Sequence, residues 1–211
     1  CTVDLSAFYF DIRKDTLYCD RLDSITRRAT RTVLDHLFTS LTAWFAPFIA
    51  FTAEEAWLAR YPETNGSIHL NLFPNIPEGW NNEKLAAKWK KIRELRRVVT
   101  GALEVERSEK RIGSSLESSP VIYASPDYIK AISGLDLSEI TITSGASVKN
   151  ATVPDHAFKL EEVPGIGVLA EMAKGAKCVR CYKITPKASS SSNQDHICLR
   201  CADAAAFFKN K

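Results

Sequence analysis

The chain has 211 residues, 45% of them hydrophobic and 25% charged, with a formal net charge of +3. That length allows one large domain or two to three small ones, and the composition is globular rather than disordered or fibrous. No apolar run approaches the roughly 18 residues of a membrane span, and the start, Cys1-Thr2-Val3-Asp4, lacks the basic and apolar regions of a signal peptide.

That start also lacks an initiator Met, so the chain reads as a piece of a longer protein. With no secretory signal, a cytoplasmic, reducing location is expected and a disulfide framework is not. The charge alternates by segment: net −3 over 1–81, +5 over 82–115, −4 over 116–170 and +5 over 171–211. Such local basic surface, rather than bulk charge, is what a nucleic-acid partner uses.

The first 60 residues contain no glycine and one proline, Pro47. Leu5, Phe8, Tyr9, Ile12 and Leu17 suit a short helix. Leu22, Ile25, Ala29, Val33, Leu37, Leu41 and Trp44 recur in steps of three and four, which predicts one buried stripe on a long helix. Asp20 or Asp23 is available as its N-cap, and Pro47 should end it. Thr52-Ala-Glu-Glu55 fits a capping box for the next helix. Residues 61–81, with Pro62, Gly66, Pro74, Pro77 and Gly79, read as a loop or crossover.

Helical spacing resumes at Asn82 with Leu85, Trp89, Ile92, Val99 and Leu103, and Gly113 is a plausible stop. The pattern then changes. Val121–Ala124, Ile140–Thr143 and Gly165–Leu169 read as strands, and Pro126–Ile132 as a short helix. The expected fold class is mainly α: an antiparallel helical bundle over 1–115, a small α+β domain over 116–173, and a zinc ribbon over 174–211.

The last segment carries the sharpest chemistry. Cys178-x-x-Cys181 and Cys198-x-x-Cys201 are separated by 16 residues. A two-residue gap lets both thiolates of a pair reach one ion, and two pairs close a tetrahedral S4 shell, the pattern of one structural Zn(2+). The alternative of two redox dithiols lacks the βαβ context such motifs need. His196 is a conceivable ligand that four cysteines leave unneeded. Tyr182–Thr185 and His196–Cys198 are expected to pair as a hairpin, with a mobile tip at Ser189–Asn193. A core this small needs the metal for its folding.

Phe8-Tyr-Phe-Asp-Ile-Arg-Lys-Asp-Thr-Leu-Tyr18, Ala46-Pro-Phe-Ile-Ala-Phe-Thr-Ala-Glu-Glu-Ala-Trp57, Ser67-Ile-His-Leu70 with Phe73-Pro74, Leu103-Glu-Val-Glu-Arg107 and Lys110-Arg-Ile-Gly-Ser-Ser-Leu116 are, in this order, similar to the anticodon-binding helical domain of the bacterial isoleucyl-tRNA synthetase family. Gly175-Ala-Lys-Cys-Val-Arg-Cys-Tyr182 and Cys198-Leu-Arg-Cys-Ala202 are similar to its C-terminal zinc ribbon, with Tyr182 where the family often has Trp. The resemblance implies a fragment that holds tRNA(Ile) for the catalytic and editing domains of the same protein. The His-Ile-Gly-His and Lys-Met-Ser-Lys-Ser signatures do not occur in these residues, so no catalytic residue is expected here. ATP would be used only by the missing catalytic domain of the parent isoleucine-tRNA ligase.

The RNA-binding candidates are basic residues. Arg27 and Arg31 are expected opposite a buried Ala29 on the long helix, with Arg28 flanking them, suited to phosphates, which position RNA without reading it. A solvated face with ion pairs to Asp23 and Asp35 is the plain alternative. Lys14 lies in a family-like stretch, and Asp15 is expected to pair with an arginine within the bundle. Lys90, Arg93 and Arg97 belong to a cluster too dense for pairing with near-sequence acids. Lys177, Arg180, Lys183 and Arg200 flank the thiolates, where they can offset a doubly negative zinc tetrathiolate, contact phosphates, or both. Trp44, Trp57 and Trp89 are expected in the core, leaving Trp80 for base stacking. Two other readings are a zinc-ribbon nucleic-acid-binding module of another enzyme, such as a DNA glycosylase tail, and a purely structural appendage.

Overall fold

The computed structural model describes residues 1–62, 66–186 and 196–209. The expected tip at Ser189–Asn193 lies outside them. The chain divides into two compact units: Cys1–Arg21 with Glu83–Lys211, and Leu22–Asn82.

The smaller unit holds α2 (Ile25–Phe45) and α3 (Ala50–Arg60). Ser24, not Asp20 or Asp23, caps α2, its hydroxyl accepting from the Arg27 N–H. The helix ends two residues before Pro47, as the ring requires. The buried face is rotated from the expected stripe. Thr30, Ser40 and Ala43 are buried, while Ala29, Val33 and Trp44 are not, and Ile25 is 83% exposed. Leu22, Leu37 and Leu41 are half-buried, so the described residues cover the expected stripe only in part. Nor does Thr52 cap α3. That helix begins at Ala50, with Ile49 at its N-cap position. Glu54, next to the Glu55 of the supposed box, accepts from the Ser67 hydroxyl and the Ile68 N–H, both at 2.9 Å. These bonds pin the loop after α3, and Ile68 fills a core of Ala43, Ala46 and Ala53.

The larger unit begins with a wide π-helix, Thr2–Phe10, that runs into α1 (Asp11–Cys19). Its spine is α4 (Glu83–Ser108). Ile92, Leu95, Val98, Val99, Ala102 and Leu103 fall on one helical face and are buried. They pack into one core with Ile122 and Ala124 of β1 (Val121–Ala124) and with Ile166 and Val168 of β3 (Ile166–Leu169). Gly101 is explained by this packing, since a Cβ there would lie 2.8 Å from the Phe158 ring. In the sheet, β1 is central, parallel to β2 (Ser147–Lys149) and antiparallel to β3. The helix α5 (Pro126–Ile132) forms as expected, with Pro126 in its first turn.

Two local expectations are overturned. Ile140–Thr143 is not a strand: Leu137–Thr141 forms a short helix, α6. The Asp136 side chain accepts from the Ser138 and Glu139 N–H groups at 2.9 and 3.4 Å, so capping outweighs β propensity. The ribbon hairpin pairs β4 (Ala176–Lys177) with β5 (Ile184–Thr185), without His196–Cys198. Gly175 (φ 139°) makes it possible, because a Cβ there would meet the Thr185 carbonyl oxygen at 2.2 Å. Cys198 leads instead into α7 (Leu199–Lys209), which buries Cys201 and Ala204.

Candidate metal centre and nucleic-acid interface

Each Cys-x-x-Cys pair sits at a tight turn. In the first, the Tyr182 N–H donates to the Cys178 carbonyl and the Cys178 N–H to the Lys183 carbonyl, both at 2.9 Å. In the second, Cys198 precedes α7 and Cys201 lies in its first turn. The four sulfurs lie within 4.8 Å of one another, and all four residues are buried. The Cys181–Cys198 Sγ separation is 3.8 Å. Zn–S bonds of about 2.3 Å in a tetrahedron give sulfur–sulfur edges of about 3.8 Å. The Cys198 N–H donates to Cys178 Sγ at 3.4 Å. Burial pushes the Cys178 thiol up, but backbone N–H groups from Cys181, Cys198 and Arg180 bring it down to about 6. Burial, above all, and neighbouring thiols hold Cys201 above its ordinary value. Four thiols so crowded ionise together only around a cation, so the donor set fits a thiophilic metal ion. His196 is engaged elsewhere, its Nε2 lying 3.0 Å from the Thr185 hydroxyl.

The ribbon meets the C-terminal end of α1. Arg200 binds the Asp15 carboxylate with both Nη atoms, at 2.5 and 2.9 Å, and reaches Asp20 at 3.3 Å. Burial alone would raise the Asp15 carboxyl, but the Arg200 guanidinium holds it below its ordinary value. Arg180 donates to the Cys19 and Tyr18 carbonyls at 2.6 and 3.0 Å. Cys19 is buried with the four ribbon cysteines. Burial and the Asp15 carboxylate push its thiol up to about 11, so it is not a reactive thiolate.

Beside this junction is a groove of about 320 Å³. Ile12, Lys14 and Tyr18 of α1 lie on one wall and Tyr182 and Lys183 of the ribbon on another, with Leu116, Ser138 and Ile142 between them and the carboxylates of Asp11, Asp15 and Glu139 at its edge. Tyr18 is 78% and Tyr182 57% exposed. Ile142 and Tyr182 both have left-handed backbone, with φ of 56° and 63°. For a β-branched or bulky residue this is a strained conformation, and such strain clusters at functional sites. The chemistry offered is aromatic and apolar surface suited to stacking an unstacked base, with the Lys14 and Lys183 ammonium groups set among the Asp11, Asp15 and Glu139 carboxylates.

The other expected RNA residues divide into groups. Arg28 and Arg31 are exposed, have no carboxylate partner among the described residues, and line an open groove with His36 and Arg60. Arg60 is held by Asp35 at 2.9 Å. Arg27 is half-buried rather than beside them on the open face. Lys90, Arg93 and Arg97 line a separate groove with Phe8 and Trp89. That cluster is less free than its sequence neighbourhood implies. Arg93 pairs with Asp4, Arg97 with Glu162, Lys91 with Asp127, and Arg96 with Asp11. The acids come from distant segments, which local sequence counting overlooks. Lys14 pairs with Asp11 at 2.8 Å, Lys183 donates to the Ser138 hydroxyl at 3.5 Å, and the Lys177 ammonium lies over the Tyr182 ring. Trp80 packs edge-on against His36. Tyr18 is the groove residue that sequence reasoning missed, and no periodicity singles it out.

Residues 1–123 match the family model described as the anticodon-binding domain of tRNA ligase. The chain is 52% identical over 205 residues to the isoleucine--tRNA ligase of Agrobacterium fabrum, covering 97% of this chain and 21% of that protein. It is 50% identical over 205 residues to that of Brucella abortus, with the same coverage. It is 46% identical over 209 residues to that of Caulobacter vibrioides, 99% of this chain and 21% of that one. The chain thus spans about a fifth of the length of these relatives. With more than half of its residues matched by the family model, it belongs to the anticodon-binding domain family of tRNA ligases.

Proposed function

We propose that this chain is the tRNA-holding, anticodon-recognising part of an isoleucine-tRNA ligase, and that its RNA partner is tRNA(Ile). The observation that carries this reading is the groove between α1 and the ribbon, where Lys14, Tyr18, Tyr182 and Lys183 surround a space of about 320 Å³. Unstacked loop bases are recognised by stacking and hydrogen bonding, and the backbone by basic side chains. Arg28, Arg31 and Lys90 are suited to the backbone, because no ion pair within the described residues occupies them.

Cys178, Cys181, Cys198 and Cys201 would hold one Zn(2+) as a closed structural site. When bound, the ion cross-links two turns that are otherwise joined by little apolar core. The ligase activity, its ATP and its amino acid belong to other domains of a cytoplasmic parent enzyme. The exposed apolar residues of the smaller unit, among them Trp44, Phe48 and Phe51, suit packing against those domains.

The test is a binding titration with isoleucine tRNA at two salt concentrations, with and without prior chelation. Salt-sensitive binding that weakens when the anticodon is changed supports the reading. Equal affinity for an unrelated tRNA argues against anticodon recognition, and unchanged folding and binding after chelation argue against a role for the metal.

A further inference from the structure

The two cysteine pairs share a feature that metal binding does not require. Each places an arginine immediately before its second cysteine: Cys178-Val-Arg180-Cys181 and Cys198-Leu-Arg200-Cys201. Both arginines reach out of the ribbon and grip the same end of α1. Arg180 takes the Cys19 and Tyr18 carbonyls, which lie where a helix has unsatisfied acceptors and partial negative charge. Arg200 takes the Asp15 carboxylate two-pronged and reaches Asp20. These bonds join residues more than 160 positions apart. A third contact, Arg21 to Asp203 at 3.4 Å, ties the chain just beyond α1 to α7.

We propose that Arg180 and Arg200 are positioning residues for RNA recognition: they latch the metal-bound ribbon to α1 and so set the spacing between Lys14 and Tyr18 on one wall of the groove and Tyr182 and Lys183 on the other. The inference rests on the groove being the RNA site proposed above. It assigns these arginines a role distinct from phosphate contact. Their donors face protein carbonyls, carboxylates and the neighbouring cysteine sulfurs, Arg200 toward Cys181 and Arg180 toward Cys201, and the planar two-pronged geometry with Asp15 is one that lysine cannot reproduce. It also gives the metal a route to the RNA, because each arginine is fixed in space only while its own turn is closed by the thiolates.

The test uses the full-length, zinc-loaded protein carrying this chain, with Arg200→Gln, Arg200→Lys and Asp15→Asn. Three quantities are measured: zinc per protein, affinity for an isoleucine tRNA transcript across a salt series, and amide exchange at residues 16–20. The latch predicts that all three variants keep their zinc, lose affinity by about tenfold, which is within the usual range of coupling between sites, and exchange faster at 16–20. The slope of log affinity against log salt stays unchanged, and Arg200→Lys behaves like Arg200→Gln. A slope reduced by about one for Arg200→Gln, with rescue by lysine, would mean a direct phosphate contact and overturn the proposal. So would unchanged affinity in variants that retain zinc. Should Arg200→Gln fail to fold, Asp15→Asn breaks the same bond from the α1 side and is read by the same outcomes. If the unaltered protein does not bind the tRNA, the proposed function fails; the latch is then judged on amide exchange, and unchanged protection at 16–20 rejects it.

Discussion

Arg200 and Asp15, 185 positions apart, form a two-pronged ion pair at 2.5 and 2.9 Å where the ribbon meets α1. Both side chains are partly shielded from solvent, at 37% and 24% exposure. Removing either partner leaves the other poorly satisfied, so each single variant should lower stability by about 1–2 kcal/mol. The two losses should not add. Asp15→Asn with Arg200→Gln should be little worse than the weaker single variant, because one bond is lost only once. Denaturant titrations of the four proteins check this, and strictly additive losses would mean that the pair is uncoupled.

Metal removal should act locally. The core of α4, β1 and β3 contains no cysteine ligand, whereas among the described residues the ribbon has two short strands and a buried cluster made of cysteines. Chelation should therefore abolish amide protection over 176–185 and 198–205 while leaving Ile92–Leu103 protected. Hydrogen exchange with and without chelator measures both regions at once. Loss of protection in α4 at the same rate would show that the ribbon and the core unfold together.

Gly175→Ala probes the same turn without touching a ligand. The position has φ 139°, and a Cβ would meet a backbone oxygen that has no flexible side chain to yield. Strain of this kind costs about 1–3 kcal/mol. The variant should bind zinc more weakly than the unaltered protein in a competition titration with a chromogenic chelator. Equal zinc affinity would place the hairpin outside the determinants of the metal site.

These features differ in how far the sequence discloses them. The cysteine spacing is legible because one ion imposes it on nearby residues, and the structure brings all four sulfurs together. The strand at Val121–Ala124 and the helix at Pro126–Ile132 are legible from local pattern and from proline. Ile140–Thr143 misleads because its alternation suits a strand, while the deciding group, Asp136, sits outside the run and caps a helix. The stripe on α2 misleads differently: periodicity reports that a face is apolar, not which partner covers it. The acids that occupy Arg93, Arg97 and Arg200 lie at Asp4, Glu162 and Asp15, and no local count of charges finds them.

Tyr128 provides a pH-dependent check on the larger unit. Its hydroxyl donates to Glu94 at 3.0 Å, and burial together with that carboxylate pushes the phenol up to about 12. The folded state thus keeps a proton that the unfolded state releases near pH 10. This contribution is complete below pH 10 and is lost as pH rises from about 10 to about 12. An ultraviolet difference titration should show a phenol step near 12 that is missing from Tyr128→Phe. The variant should also lose less stability than the parent over that interval. A parent titration without the late step would refute the half-buried hydrogen bond to Glu94.

The exposed arginines of α2 allow phosphate contact and base recognition to be separated. Arg28 and Arg31 carry no carboxylate partner among the described residues, and they line an open groove together with Asp35, His36 and Arg60. If they face the tRNA backbone, each neutralises about one phosphate and releases its condensed counterion. Arg28→Gln with Arg31→Gln should then reduce the salt slope by about two and weaken binding to every tRNA alike. Lys14→Gln, in the groove beside Tyr18 and Tyr182, should instead narrow the difference in affinity between isoleucine tRNA and an anticodon-altered transcript. Salt series on both transcripts distinguish these outcomes. A change in anticodon preference from the arginine pair would assign base recognition to α2, and an unchanged slope would make Arg28 and Arg31 part of a merely solvated helix face.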